Sequence, residues 1–134
     1  SSIAIDDAGA FTPTVKSFDL GQGKEVEILV PTNEKKNKAG GKGSDGVVIG
    51  PSSFAMARIL AHCPSLVDDR NVLELGAGLG LLSAAICRHT APKHLAVTDA
   101  DRTVLRRAYE SCTQLHRPKT SVSRCIMDWH DETT

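Results

Sequence analysis

The chain has 134 residues, with 16 Lys or Arg balanced by 16 Asp or Glu, so its formal charge at pH 7 is zero. A balanced charge creates no field that would attract nucleic acid or anionic lipid. The longest apolar runs are far shorter than the ~20 residues that a membrane span needs. We therefore expect a globular protein with no nucleic-acid partner and no membrane span.

The N-terminal part is predicted to be a β-hairpin followed by a linker. Residues 15–20 and 25–30 alternate between apolar and polar side chains, and the Gly-rich segment 21–24 between them is typical of a turn. Residues 32–46 are rich in Lys, Asn and Gly and contain no large apolar side chain that could offset the cost of ordering them. This divides the chain into a segment 1–31 that holds the hairpin, a flexible linker 32–46, and a domain 47–134.

Helices and strands alternate along the remaining domain. A helix should begin at Pro51, end before Pro64 and be mostly buried. A second, amphipathic helix should follow Asp101 and turn Arg102, Arg106 and Arg107 toward water. Apolar segments 71–75, 94–98 and 121–127 should form strands. The order of these elements predicts an α/β fold with three parallel strands.

A turn rich in glycine links the first of these strands to an apolar helix. Gly76 and Gly78 allow the main chain to approach a ligand closely, and Gly80 should let the following helix pack tightly on the strand. Leu81 stands where a dinucleotide site needs a small residue, and the chain has no P-loop. The pattern E-x-G-x-G-x-G, in which Glu74 ends the strand, instead suits an adenosyl ligand with an amino-acid tail. We therefore predict that S-adenosylmethionine binds here.

An acidic residue follows the next strand. Asp99 lies about 20 residues beyond the glycines, where a carboxylate can accept hydrogen bonds from both hydroxyls of a ribose. A role for Asp99 as a helix cap is the alternative, but Asp101 directly precedes the helix and suits that role better. Asp99 is therefore the predicted ribose ligand, with Asp101 as its substitute.

These elements resemble a class I methyltransferase, and the segment LELGAGLGL at residues 73–81 is similar to the methyltransferase-like 21 group of protein-lysine methyltransferases. The resemblance runs from about Val15 to the last residue and implies a partial Rossmann-like methyltransferase fold. Residues 46–50 match the family pattern G-x-x-[VI]-W, except that Gly50 replaces the tryptophan. Residues 127–129 match the end of the third strand, which implies that Asp128 accepts a hydrogen bond from the adenine amino group and Trp129 flanks the ring. A frayed terminal segment is the alternative for these residues.

The resemblance implies transfer of a methyl group from S-adenosylmethionine to a lysine amine of a protein substrate. No catalytic or acceptor-site residue is identified. The predicted cofactor-binding residues are Glu74, Gly76, Ala77, Gly78, Gly80, Asp99, Asp128 and Trp129.

The sequence holds only the N-terminal half of the resembled fold, so strand 71–75 should present an open apolar edge. A missing C-terminal half, another chain or the N-terminal hairpin would have to cover this edge. The partner is therefore expected to be a protein substrate or a partner chain. The alternative function, favoured by Gly50 and by the early end of the sequence, is a non-catalytic structural subunit of a larger, possibly organellar, assembly.

The cysteines and histidines give no metal-binding pattern. None of the four cysteines forms a C-x-x-C pair, and the five histidines do not follow a ligand spacing such as H-E-x-x-H. We expect reduced, buried thiols, no metal, and an intracellular, cytoplasmic protein. An organelle, reached with a transit peptide that is then removed, is the alternative, because the sequence begins with Ser1 rather than Met.

Overall fold

The computed structural model describes residues 13–31 and 49–130. The predicted linker and the first residues of segment 46–50 lie outside these ranges, so the division into three segments stays a prediction. The secondary structure elements are the strands β1 (Pro13–Asp19) and β2 (Glu25–Pro31), helix α1 (Pro51–His62), strand β3 (Asn71–Glu74), helix α2 (Leu81–His89), strand β4 (His94–Asp99), helix α3 (Arg102–Glu110) and strand β5 (Ser121–Ile126).

The first two strands form the expected antiparallel hairpin. Their register runs from Pro13 opposite Pro31 to Asp19 opposite Glu25. The Leu20 N–H closes the turn by donating to the carbonyl oxygen of Lys24 at 2.7 Å. The hairpin is a separate two-stranded sheet. Because β3 pairs only with β4 among the described residues, the hairpin does not extend the sheet at the β3 edge, and that option for covering the edge is wrong.

The other three strands form a parallel sheet in the order β3-β4-β5, as predicted. Its two faces differ. Leu95 and Val97 of β4 are fully buried in a core that includes Ile86 of α2 and two side chains of α3. Leu73 and Leu75, which alternate with the inward-facing residues of β3, are 56% and 51% exposed. The helices therefore cover one face, and apolar side chains at β3 are exposed on the other.

The hairpin packs on the helices through a second core, which joins Val26 and Ile28 of β2 to Ala57 of α1 and Ala84 of α2. Side chains also satisfy main-chain groups along the outer edge of β2, where a strand would otherwise leave them open to another chain. The bonds run from His89 Nε2–H to Glu25 O at 2.7 Å, from His116 Nε2–H to Glu27 O at 2.8 Å, and from Leu29 N–H to Ser111 Oγ at 2.9 Å.

Several side chains lie differently from the expectation. Arg107 was expected to face water, but it is 1% exposed, and its Nη1 lies 2.8 Å from Oε2 of Glu110. Helix α1 buries one face only, since Ile59 is 48% exposed. The thiols divide into two buried ones, Cys87 and Cys112, and two exposed ones at positions 63 and 125. Helical periodicity predicts which side chains share a face of a helix, but it does not show how far a neighbouring element covers that face.

Candidate functional site

The glycine turn follows β3 and leads into α2. Gly76, Gly78 and Gly80 have φ values of 67°, 57° and 86°, in the left-handed region where an L side chain is strained. A Cβ at Gly78 would meet no atom within 4 Å, whereas one at Gly80 would lie 2.8 Å from Cβ and 2.9 Å from Cα of Ala108. Gly80 therefore allows the turn to pack against α3, rather than α2 to pack on the strand. Gly78 leaves open space beside the main chain.

Asp99, at the end of β4, is fastened to this turn. Its Oδ2 accepts a hydrogen bond from the Gly78 N–H at 2.9 Å, and its Oδ1 accepts one from the Asp101 N–H at 2.9 Å. Because an ionised carboxylate has about four lone-pair positions, each oxygen can accept a further hydrogen bond. Asp101 caps α3, as predicted, because its Oδ1 accepts from the N–H groups of Thr103 and Val104.

The carboxyl ends of the three parallel strands are held together by further hydrogen bonds. The Ala77 N–H donates to the Thr98 carbonyl at 2.8 Å, and the Thr98 hydroxyl donates to the Glu74 carbonyl at 2.6 Å. The Met127 N–H donates to the Asp99 carbonyl at 3.0 Å. The glycine turn and the residues that follow β4 and β5 are thus brought to the same edge of the sheet.

The Glu74 side chain points into the protein. It is 7% exposed, and its Oε1 accepts a hydrogen bond from the Ser83 hydroxyl of α2 at 2.7 Å. Among the described atoms, Oε2 has no hydrogen-bond partner. Burial raises the pKa of Glu74 from its ordinary 4.5 to about 7, the charge of Asp99 adds to the rise, and the Ser83 bond opposes it. Glu74 therefore titrates near neutral pH.

A cavity of about 260 Å³ opens beside the turn. The Trp129 ring forms one wall; it is 70% exposed, and its Cζ2 lies 3.8 Å from the point that a Cβ of Gly76 would occupy. Asp128 is oriented by the His130 N–H, which donates to its Oδ1 at 2.9 Å. The lining residues are Gly76, Asp99, Ala100, Met127, Asp128, Trp129 and His130.

The predicted site residues thus fall into two groups. Four of them line the cavity, and Gly78 is joined to it through its bond to Asp99. Glu74, Ala77 and Gly80 are engaged in packing and in bonds inside the protein. Ala100 and His130 also line the cavity, although neither is among the predicted cofactor-binding residues. Their position directly after the ends of β4 and β5 was the available signal.

No group of three metal-ligating side chains occurs in residues 13–31 and 49–130. Within the same ranges, no helix has both the length and the apolar character that crossing a membrane requires.

Residues 31–134 match the profile of a protein family described as lysine methyltransferase. The chain belongs to this family. It is 28% identical over 102 residues to the mouse (Mus musculus) protein-lysine N-methyltransferase EEF2KMT, an alignment that covers 69% of this chain and 30% of the mouse protein. The crystal structure of P. horikoshii TYW2 in complex with MeSAdo superposes with a TM-score of 0.55 at 15% identity, over 87% of this chain and 37% of TYW2.

These findings confirm the predicted family and the Rossmann-like methyltransferase fold. At 15% identity, the likeness to TYW2 concerns the fold alone. The chain spans about a third of the length of either relative.

Proposed function

We propose that this chain forms the cofactor-binding part of a protein-lysine N-methyltransferase and binds S-adenosylmethionine beside the glycine turn. The observation that carries the proposal is the Asp99 carboxylate, fastened at 2.9 Å to the Gly78 N–H at the rim of the 260 Å³ cavity. Membership of the lysine methyltransferase family supports the same cofactor.

The residues around the cavity fit such a ligand. The oxygens of Asp99 retain lone pairs for the two ribose hydroxyls, and both are held in place by main-chain donors. Asp128 can accept from the adenine amino group, and the exposed Trp129 ring offers a face for stacking. Gly78 leaves room for the ligand next to the main chain.

When bound, S-adenosylmethionine would supply a methyl group on a sulfonium sulfur, which an unprotonated lysine amine can accept. The free lysine side chain has a pKa near ~10.4, so the acceptor pocket has to favour the neutral amine by removing it from water. The residues of this chain contribute orientation: Asp99 fixes the ribose, and Trp129 restricts the adenine to one plane.

The exposed face and edge of the sheet at β3 suit the binding of a protein segment. Leu73 and Leu75 are more than half exposed, and the edge of β3 is unpaired in the described ranges. An apolar strand edge of this kind pairs readily with another strand. We infer that a C-terminal half of the same protein, a protein substrate or a partner chain covers this edge, in an intracellular, cytoplasmic setting or, as the alternative, in an organelle.

A non-catalytic structural subunit is the second candidate function. Gly50, at the start of α1, stands where the resembled family has a tryptophan, and the same exposed leucines suit permanent packing in an assembly. Cofactor binding distinguishes the two candidates.

Calorimetric titration with S-adenosylmethionine and S-adenosylhomocysteine tests the proposal. We expect binding by the wild-type chain and, since a hydrogen bond to a charged group contributes about 1.5–3 kcal/mol, a loss of about 10- to 100-fold in Asp99→Asn. Asp101→Asn is the matched control, because asparagine also caps helices and Asp101 does not line the cavity. No binding by the wild-type chain would favour the structural subunit, whereas equal binding by Asp99→Asn would remove Asp99 from the site.

A further inference from the structure

A second, larger groove lies between α3 and the edge strand β5. Its volume is about 580 Å³, and it shares no lining residue with the proposed cofactor cavity. Its apolar surface comes from Leu105 and Ile126. The complete lining is Arg102, Thr103, Leu105, Arg106, Arg124, Cys125 and Ile126.

The groove carries an excess of positive charge. Arg102, Arg106 and Arg124 line it, and no carboxylate of the described residues does. The Glu110 carboxylate lies 3.9 Å from Nε of Arg106 and 2.8 Å from Nη1 of the buried Arg107. Arg102 and Arg124 add positive charge to the lining, which makes the groove complementary to an acidic ligand.

One of these guanidinium groups is already held in position. Arg124 of β5 lies over the ring of Tyr109 of α3, 5.0 Å from its centroid. This contact keeps the side chain on the helix side of the sheet and reduces the entropy that it would lose on binding an anion.

The strand that carries Arg124 offers main-chain groups as well. β5 pairs with β4 on one side, and no strand pairs with its other side in the described ranges. An extended peptide can add to such an edge through main-chain hydrogen bonds. Every second side chain of the added strand, at intervals of roughly 7 Å, would then face the same side as Arg124.

We propose that this groove binds an extended, acidic segment of a partner protein, added as a strand along β5 with carboxylates at alternate positions facing Arg102, Arg106 and Arg124. The inference goes beyond the proposed cofactor site and does not depend on it. A protein segment fits better than nucleic acid, because the Tyr109 ring is covered by Arg124 and the chain as a whole has no net charge.

Fluorescence anisotropy with the 134-residue chain tests the proposal. The probe is a fluorescein-labelled octapeptide of alternating glutamate and threonine. Comparison probes are the lysine–threonine octapeptide, the acidic octapeptide with alternate amides N-methylated in either phase, and an oligouridylate octamer. We expect saturable binding of the acidic octapeptide, its loss on N-methylation in one phase, and no binding of the other two probes.

Paired variants locate the site. Arg102→Gln with Arg124→Gln should weaken binding about tenfold, since each exposed ion pair accounts for about threefold. Arg70→Gln with Arg88→Gln removes the same charge at exposed positions outside the groove and should leave binding unchanged. Thermal unfolding followed by circular dichroism checks that all variants fold.

Equal weakening by the two variant pairs would overturn the proposal, as would binding that is insensitive to N-methylation in both phases. Arginine-dependent binding of the oligouridylate in place of the acidic octapeptide would also overturn it and assign the groove to nucleic acid. If the acidic octapeptide does not bind, the proposal of an acidic partner segment is overturned as well.

Discussion

The glycine turn and the N-terminal hairpin are both attached through main-chain hydrogen bonds, but the titratable side chains that are buried beside them ionise with opposite consequences. Near the turn, burial raises the pKa of Glu74 to about 7. At the hairpin, burial lowers the pKa values of His89 and His116, which donate to main-chain carbonyls. Burial favours the neutral form in each case. The turn should therefore lose stability as pH rises, whereas attachment of the hairpin should weaken as pH falls.

The largest expected difference between the two regions concerns their glycines. Gly80→Ala combines left-handed strain with a 2.9 Å approach to the Ala108 main chain, so we expect the free energy of unfolding to fall by about 3 kcal/mol. Gly23→Ala in the hairpin turn adds a Cβ that meets nothing within 4 Å, so strain alone, about 1 kcal/mol, remains. Urea unfolding of both variants measures the difference, and equal losses would show that close packing at Gly80 is unimportant.

The next prediction concerns Glu74. Its folded-state pKa of about 7 lies above the ordinary 4.5, so its contribution to stability is complete below about pH 4.5 and is lost as pH rises through about 7. The difference corresponds to roughly 3 kcal/mol at high pH. Glu74→Gln should flatten this part of the pH profile of the free energy of unfolding.

Urea unfolding at about pH 5 and about pH 8 tests this expectation. Glu25→Gln, at an exposed position of β2, is the control and should keep the slope of the wild-type chain. An unchanged slope in Glu74→Gln would mean that another group is responsible for the pH dependence.

The smallest expected effect is at the hairpin. The pKa values of His89 and His116 are lowered from 6.5 chiefly by burial, against the opposing bonds to Glu25 and Glu27. Their contribution to stability is therefore present above about pH 6.5 and is lost as pH falls through the folded-state values. The Leu29 amide, which donates to Ser111, should lose hydrogen-exchange protection in acid before the Leu105 amide of α3 does.

The variant that replaces both histidines with glutamine keeps a donor for each carbonyl but does not titrate. It should abolish the selective loss of protection at Leu29. If acid still releases Leu29 first in this variant, the histidines do not cause the release.

The features that the sequence predicted are those with a local signature. Alternation over a few residues located the hairpin, the short apolar segments located the three parallel strands, and the aspartate before α3 marked its cap. In the candidate site, the glycine pattern located the turn, and the position directly after the next strand located Asp99. Consecutive parallel strands end at the same edge of a sheet, which brings the two together.

The features that the sequence did not predict depend on distant contacts. Gly80 is needed because Ala108 packs against it, and the burial of Arg107 depends on neighbours that helical periodicity does not reveal. The attachment of the hairpin uses carbonyl and amide groups as partners of His89, His116 and Ser111. Every residue carries such main-chain groups, so the sequence gives no indication of which ones are used.

The bond between Leu29 and Ser111 also has a consequence for the order of folding. The two residues are 82 positions apart, so the Leu29 N–H cannot form this bond until the residue that follows α3 has been synthesised. An isolated two-stranded hairpin is only marginally stable in water. On a ribosome, the hairpin therefore emerges before the helices on which it packs and is among the last segments to acquire its native contacts. Until then, its free strand edge is open to other nascent chains.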